Sequence, residues 1–438
     1  MLRHCKSSLS NVECIAFSSQ METIVPVNRD AKPLGRAILW ADQRSLGECK
    51  IITERIGERA AHKITGCRID PMHSGPKILW VKKNQERKFV KAFKFLTPKD
   101  FLNYQITGKF TADYSTASSS LLFDITRRTW SKEFLNELGI PLDKLPEVHP
   151  SSAIIGEVTS EAANVTGLKT GTPVLAGGGD TPCTALGCGV FEPRHGLLYL
   201  GSSASLYSMT AEPMIDPKMR LVTRCHVVDD IWNVGGGMTT AGTCITWFRD
   251  LLSRGVKREK ALKNLIKEAS KIETGSRGLL FIPNMLGERN PHYRLNSTGA
   301  FVGLTLAHNR SHMTRAILEG IGMQLNSILR AMEDADIRPA SMYATGGGMN
   351  HSYWAQILSD ILAVKLTIPA VTSPEAYGAA VLAGIGIGAI PDPRKLAARV
   401  TMKYVRPRES ASVIYNEISQ KYNDHLKALQ LPDSAQVE

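Results

Sequence analysis

The sequence predicts an α/β fold, and three observations support this class. Short apolar segments typical of strands alternate with segments of helical spacing along the 438 residues. Of these residues 43% are hydrophobic and 21% are charged, as in globular domains with sizeable cores. Glycine-containing turns follow predicted strands at 177–179, 201–205, 235–237 and 346–348. Glycine lets backbone N–H groups approach a ligand without an intervening side chain.

The individual elements follow in chain order from local signals. Thr97 and Pro98 are a typical N-cap and first residue of a helix. Residues 404–430 also have helical apolar spacing and are expected to pack back on the body of the protein. The predicted strands are 12–20, 21–30, 36–44, 171–180, 342–350 and the hairpin 196–210. The predicted helices are 45–60, 97–108, 311–332, 352–362 and 373–388, the last rich in small residues that let another backbone come close, with a further helical face in 81–94.

Composition and charge exclude several classes of protein. The net charge is +12, but the basic stretch 81–94 is accompanied by no zinc-finger spacing or aromatic RNA-binding signature, so nucleic acid is not expected as a partner. No apolar run reaches the roughly 18–20 residues of a membrane span. The first residues lack the apolar core of a secretory signal. The eight cysteines form no CxxC pair and are expected to be reduced. These features predict a soluble, cytoplasmic protein.

Asp180 stands at the mouth of a glycine-rich strand-to-helix turn and has two possible roles. Aspartate is a favoured N-cap that complements the positive end of a helix. Alternatively, Asp180 is a catalytic base beside a phosphate site. The repeated glycine turns favour a nucleotide site, although the chain has neither a GxxxxGK[ST] loop nor a GxGxxG motif in a βαβ unit.

Six blocks of sequence resemble the FGGY carbohydrate kinases, whose fold is that of the actin, hexokinase and Hsp70 ATPases. Together they extend the resemblance over about residues 12–425. The blocks are 18–44, 97–130, 177–190 ("GGGDTPCTALGCGV"), 196–206 ("GLLYLGSSASL"), 286–320 and 346–362 ("GGGMNHSYWAQILSDIL").

The resemblance implies two ribonuclease-H-like domains with a cleft between them. Residues 1–178 would form the sugar-binding domain, 179–390 the nucleotide-binding domain and 391–438 a helical tail. The implied reaction is ATP-dependent phosphorylation of a sugar or polyol hydroxyl, with Mg²⁺ accompanying the nucleotide. Many members of the family are dimers, so a homodimer is a further expectation.

The resemblance also assigns site residues. Asp180 would be the general base, and its position at a helix N-terminus leads us to expect a lowered pKa. No metal ligand is assigned. The residues implied for the sugar are Gln20, Met21, Glu22, Asp42 and Tyr114, together with Asp180. The residues implied for the nucleotide are Gly201, Ser202, Ser203, Gly242, Thr246, Gly347, Gly348 and Asn350.

The sugar-side residues resemble two branches of the family. "RAILWADQR" and "GERNPH" are similar to the xylulokinase branch, which usually has histidine where Glu22 stands. Glu22 and Tyr114 are similar instead to the glycerol kinase branch, whose arginine is replaced by Met21. A ketopentose such as xylulose is the expected substrate, with glycerol or another polyol as the alternative.

The family begins with a hairpin that carries an Asp-x-Gly-Thr phosphate loop, and no such motif precedes the first matching block. The first domain is therefore expected to be truncated at its N-terminus. A non-catalytic sugar- or nucleotide-binding relative is the second hypothesis that this difference leaves open.

Overall fold

The computed structural model describes residues 9–252, 257–397 and 400–428. The chain divides into two compact units. Unit 1 is drawn from the described residues of Met1–Pro193, Met209–Val234 and Val371–Val400. Unit 2 is drawn from those of Arg194–Ser208, Gly235–Ala370 and Thr401–Glu438. The domain boundaries predicted from the sequence stay a prediction.

The described residues mix helices and strands throughout, which confirms the α/β class. The helices are α1 (Leu46–Arg55), α2 (Glu58–Thr65), α3 (Ser74–Asn84), α4 (Glu86–Lys91), α5 (Pro98–Thr107), α6 (Tyr114–Ala117), α7 (Lys132–Leu138), α8 (Ser160–Thr166), α9 (Asp180–Gly187), α10 (Gly242–Leu252), α11 (Arg258–Ala269), α12 (Arg310–Asp334), α13 (Ser352–Leu362), α14 (Pro374–Gly386), α15 (Arg394–Ala397) and α16 (Glu409–Ala428). Short 3-10 helices occupy Leu9–Asn11, Leu142–Lys144, Ser276–Gly278 and Gly347–Asn350. None of the helices in the described ranges is both long and apolar enough to cross a membrane.

The strands are short in unit 1 and longer in unit 2. They are β1 (Ser18–Ser19), β2 (Val25–Val27), β3 (Lys94–Leu96), β4 (Thr111–Asp113), β5 (Phe123–Asp124), β6 (Thr129–Trp130), β7 (Glu147–His149), β8 (Ile154–Glu157), β9 (Pro173–Leu175), β10 (Gly178–Gly179), β11 (His195–Leu200), β12 (Ala204–Thr210), β13 (Val222–Cys225), β14 (Trp232–Met238), β15 (Leu280–Ile282), β16 (Ala300–Val302), β17 (Ser341–Thr345), β18 (Leu366–Pro369) and β19 (Met402–Val405).

Unit 1 is organised around short strand pairs covered by helices. The parallel pair of β1 and β10 has the register Ser18↔Gly178 and Ser19↔Gly179. Helix α9 packs against α14 at two glycines, because a Cβ on Gly378 would lie 1.8 Å from the Cys183 carbonyl oxygen and one on Gly187 would lie 2.0 Å from that of Pro374. The close backbone approach predicted for 373–388 is therefore confirmed.

In unit 2 the strands β14, β12, β11, β17, β18 and β19 lie side by side in one sheet in that order. Strand β11 is antiparallel to β12 and parallel to β17, and β17 is parallel to β18. The long helix α12, predicted over 311–332, contacts α13 and β15, and α16 packs on α13. Tyr415 and Tyr422 of α16 are fully buried, so the predicted return of the C-terminal helix to the body is confirmed.

Several local predictions can be compared directly with the structure. Thr97 accepts a hydrogen bond from the Asp100 N–H in a capping box, with Pro98 first in α5, as predicted. The hairpin 196–210 is also confirmed. The helical face predicted in 81–94 is divided between α3 and α4, with a break at Gln85.

The predicted glycine turn at 235–237 is wrong, because these three glycines lie inside strand β14. A Cβ on Gly235 would lie 2.1 Å from the Leu206 carbonyl oxygen, and one on Gly236 would lie 2.5 Å from Cβ of Asn290. Here the absence of a side chain serves close packing within the unit instead of ligand binding.

Candidate functional site

Asp180 is positioned by the parallel pair of β1 and β10. Both strands end at the same edge, and their register ends with Ser19 opposite Gly179. Gln20 directly follows β1, and Asp180 directly follows β10. The pairing therefore brings the segment that begins at Gln20 beside the aspartate, although the two are far apart in sequence.

Asp180 is the first residue of α9, and the N-cap position belongs to Gly179. Its Oδ1 accepts hydrogen bonds from the N–H (2.7 Å) and the hydroxyl (3.4 Å) of Thr181, the residue that follows it. Asp180 is therefore not the N-cap residue that the sequence suggested, although its carboxylate accepts from one of the free N–H groups at the start of α9.

The pKa of Asp180 is raised above its ordinary value, which corrects the predicted lowering. Desolvation by burial is the largest cause, and it outweighs the hydrogen bonds from Thr181 and the positive charge of Arg224. A raised pKa makes the carboxylate a better proton acceptor as long as it remains ionised.

Met21 and Glu22 extend from the end of β1 beside the glycines of β10. A Cβ on Gly179 would lie 2.6 Å from Met21 Sδ, so the buried methionine fills the space that this glycine leaves. Glu22 is buried and has a left-handed backbone conformation with φ of 59°. Such a conformation is uncommon outside glycine and concentrates at functional sites.

Glu22 forms an ion pair with Arg224, with 3.2 Å between Oε1 and the guanidinium Nη1, and both side chains are about nine-tenths buried. The backbone carbonyl of Glu22 also accepts a hydrogen bond from the ammonium of buried Lys77 at 3.2 Å. Sequence reasoning missed both cations. The available signal was a charged residue at Arg224 within an otherwise buried strand, β13.

Asp42 and Tyr114 occupy the same unit. The carboxylate of Asp42 is held by Arg44 through two side-chain hydrogen bonds of 2.8 and 2.7 Å, and this contact lowers the pKa of Asp42. Tyr114 is half-buried at the start of α6, and burial raises the pKa of its phenol. It directly precedes Ser115, whose hydroxyl accepts a hydrogen bond from the Gly179 N–H at 3.0 Å.

The residues predicted for the nucleotide all lie in unit 2. Gly201, Ser202 and Ser203 form the turn between β11 and β12. The start of α10 supports this turn, because the Gly201 carbonyl accepts from the Gly242 N–H (3.0 Å) and the Ser202 carbonyl accepts from the Thr243 N–H (3.1 Å). Thr246 lies one turn further along α10.

Gly347, Gly348 and Asn350 form a 3-10 helix directly after β17. Since β17 is parallel to β11, this helix and the turn at Gly201 lie at the same edge of the sheet. A Cβ on Gly348 would lie 2.2 Å from the Leu200 side chain, whereas one on Gly347 would meet nothing within 4 Å. The structure therefore brings the eight predicted nucleotide residues together at one edge of unit 2.

This edge offers the donors that a phosphate group needs. Ser202 is exposed and Ser203 is half-buried, and in the part of the chain that the structure describes no hydrogen bond engages either side-chain hydroxyl. Among the described residues no group of three or more His, Cys, Asp or Glu could hold a metal ion.

The chain is similar to known proteins over most of its length. Residues 1–187 match the model for the N-terminal domain of the FGGY family of carbohydrate kinases, and residues 196–387 match the model for its C-terminal domain. The chain is 33% identical to a xylulose kinase of Bacillus subtilis (strain 168), covering 87% of this chain and 76% of that protein. It is also 30% identical to a gluconokinase of the same strain, covering 86% and 75%.

A solved structure, the xylulose kinase from Rhodospirillum rubrum, is 26% identical and superposes with a TM-score of 0.87 over 95% of this chain and 84% of that one. The predicted two-domain fold of the actin and hexokinase ATPases is thereby confirmed. The chain belongs to the FGGY family of carbohydrate kinases and is a phosphotransferase.

Proposed function

We propose that this protein transfers the terminal phosphoryl group of ATP to a hydroxyl of a ketopentose such as xylulose. The observation that carries the proposal is the pairing of β1 with β10, which sets Asp180 beside the segment Gln20–Glu22. A proton acceptor next to groups that bind hydroxyls is what activation of a sugar hydroxyl requires.

Asp180 is proposed as the general base. Its carboxylate would accept the proton of the attacking hydroxyl, and the burial that raises its pKa strengthens it for this task. Of the other residues proposed for the sugar, the carboxylates of Glu22 and Asp42 can accept hydrogen bonds and the amide of Gln20 can both donate and accept, which suits adjacent hydroxyls of a sugar.

The phosphate chain of ATP is proposed to bind the edge of unit 2 formed by Gly201–Ser203 and Gly347–Asn350. The hydroxyls of Ser202 and Ser203 can donate to phosphate oxygens, and Gly347, where a Cβ would meet nothing within 4 Å, leaves open space at the same edge. Mg²⁺ would arrive with ATP and neutralise phosphate charge. It would be held by the phosphates and by water, and no protein ligand is assigned to it.

The choice of a ketopentose is supported by the names of the relatives. Xylulose kinases of B. subtilis and R. rubrum are similar to this chain over most of its length. Since a gluconokinase is similar at 30% identity, gluconate is the competitor that the assay must include. A cytoplasmic location is proposed with the same function.

A coupled assay of ADP release over xylulose, ribulose, gluconate and glycerol tests the proposal. We expect the largest kcat/KM with a ketopentose and no turnover by Asp180→Asn. Asp124→Asn is the matched control and should retain turnover, because this carboxylate lies in a turn where it accepts from the N–H groups of Thr126 and Arg127 and pairs with the exposed Arg127 side chain. A greater kcat/KM with gluconate or glycerol would overturn the proposal of a ketopentose substrate. Full turnover by Asp180→Asn would overturn the assignment of Asp180 as the general base.

A further inference from the structure

The glycine segment that leads into Asp180 is held at both ends by side chains. At its start, the Ala176 carbonyl accepts hydrogen bonds from the Lys99 ammonium (2.7 Å) and the Asn103 amide (2.9 Å). At its end, the Gly179 N–H donates to the Ser115 hydroxyl oxygen (3.0 Å). The residues between them are glycines, which would otherwise be free to adopt many conformations.

Both ends are connected to the carboxylate of Asp113, and the Lys99 ammonium pairs with Asp100 (2.7 Å) as well. Asp113 accepts a hydrogen bond from the hydroxyl of Ser115 and lies 3.2 Å from the ammonium of Lys99. Asp113 and Lys99 are completely buried. The Ser151 hydroxyl (2.8 Å) and the Ser115 N–H (2.8 Å) also donate to this carboxylate.

The direction of the hydrogen bonds matters. An ionised carboxylate can only accept, so the Ser115 hydroxyl must donate its proton to Asp113. Its oxygen is then left to accept from the Gly179 N–H, which fixes the peptide that joins Gly178 to Gly179, one residue before Asp180. Lys99 carries out the corresponding task at Ala176, since its ammonium donates to the carbonyl and pairs with the same carboxylate.

The glycines cannot compensate for loss of these contacts by packing. A Cβ on Gly178 would lie 2.3 Å from Val227 and one on Gly177 would lie 2.4 Å from the Phe17 carbonyl oxygen. The segment is therefore too crowded for side chains that would stiffen it. Its conformation is held by hydrogen bonds: those from α5 and α6 at its two ends, and those that the Gly177 and Gly178 N–H groups donate to the carbonyls of Ser151 (3.1 Å) and Phe17 (3.0 Å).

We propose that Asp113, acting through Ser115 and Lys99, is a positioning residue that holds Asp180 at the place where it meets the sugar hydroxyl. This inference rests on the proposed function of Asp180. All three side chains are completely buried, so their effect is expected on the chemical step more than on binding.

The test compares Ser115→Ala with Ser120→Ala. Ser120 is also a buried serine whose oxygen accepts one backbone N–H, that of Leu122 at 3.1 Å, but it has no contact with 176–179. Two measurements are made on each full-length variant: hydrogen exchange of the peptide that contains Gly179, followed by mass spectrometry, and steady-state kinetics with the preferred sugar.

We expect Ser115→Ala to speed exchange in this peptide by about tenfold or more and to lower kcat by about tenfold, with KM changed less than about twofold. Ser120→Ala should leave both readouts within about twofold of the wild type. Equal exchange in the two variants overturns the positioning proposal even if no sugar is turned over. If the wild type shows no turnover but exchange is faster in Ser115→Ala alone, the proposed function is overturned, whereas the role of Ser115 in holding residues 176–179 is supported. Normal kcat in Ser115→Ala, with an active wild type, also overturns the proposal.

Discussion

The carboxylate of Glu22 and the guanidinium of Arg224 lie 3.2 Å apart within unit 1, joining the segment after β1 to strand β13. Each charge is almost fully withdrawn from water. Removal of one partner leaves the other charge buried without this counter-charge, whereas removal of both does not. Mutation of this pair can therefore distinguish its contribution to stability from the sugar-binding role proposed for Glu22.

Arg224→Met should destabilise the protein by about 3 kcal/mol, because Glu22 would lose its buried counter-charge. The double variant Glu22→Gln/Arg224→Met should regain most of this stability while KM for the sugar stays high. Unfolding in urea gives the first quantity and steady-state kinetics the second. An Arg224→Met variant as stable as the wild type would show that the pair carries little energy.

The raised pKa of Asp180 predicts a pH dependence with a definite sign. Asp180 must be ionised to act as the proposed general base, so kcat should be constant at higher pH and fall as the pH drops through the raised pKa. Since the charge of Arg224 lowers this pKa, Arg224→Met should move the acidic limb of the kcat profile to higher pH. If the acidic limb of the kcat profile does not move in Arg224→Met, the effect of the Arg224 charge on the pKa of Asp180 is contradicted.

Asp180→Asn should be more resistant to denaturant than the wild type at pH 7. A carboxyl group whose pKa is raised by folding binds its proton more tightly in the folded state, so its ionised form costs stability at neutral pH. This cost disappears as the pH falls below both the folded and the unfolded pKa, and the two proteins should then converge. Urea midpoints at pH 7 and near pH 3 provide the comparison.

Gly346 and Gly347, which follow β17, are expected to have different roles. Gly347→Ala meets open space and should fold normally but raise KM for ATP several-fold, because the methyl group would stand where the nucleotide approaches. Gly346 has φ of 98° and a Cβ there would lie 2.4 Å from the Leu200 carbonyl oxygen, so Gly346→Ala should destabilise by about 1–3 kcal/mol. An unchanged KM for ATP in Gly347→Ala would remove this residue from the nucleotide site.

Contact between α9 and α14 should tolerate no side chain at Gly378. A Cβ there would lie 1.8 Å from the Cys183 carbonyl oxygen, so Gly378→Ala should destabilise by about 3 kcal/mol or prevent folding. Gly47→Ala in α1 is the control, because a Cβ there meets nothing within 4 Å and should stabilise by about 0.5–1 kcal/mol. Thermal unfolding of the two variants distinguishes packing from helix propensity.

Local chemistry made much of the fold predictable. Thr97 and Pro98 specify the start of α5, and the apolar spacing of 311–332 specifies α12, because these signals act within a few residues. The grouping of the nucleotide-side glycines was predictable only through the family resemblance. It depends on β11 lying parallel to β17, and no local signal encodes that pairing.

What could not be predicted depends on contacts between distant segments. The pKa of Asp180 follows from burial under other parts of unit 1, and this outweighs the helix terminus from which a lowered pKa was expected. Arg224 is recognisable as a partner of Glu22 only when β13 is placed beside the end of β1. Likewise, the glycines 235–237 have the composition of a turn but lie within a strand, because Leu206 and Asn290 approach them.

The contact of α14 with α9 sets an order of events during synthesis. Unit 1 contains residues from the start of the chain and again from Val371–Val400, so most of unit 2 is translated before unit 1 has all of its parts. The helix that begins with Asp180 meets its glycine-bearing partner only after residue 386 has left the ribosome. Until then its apolar face, including Cys183 and Leu186, has no cover from α14. A nascent chain at this stage presents an incomplete unit 1 to chaperones and to other nascent chains.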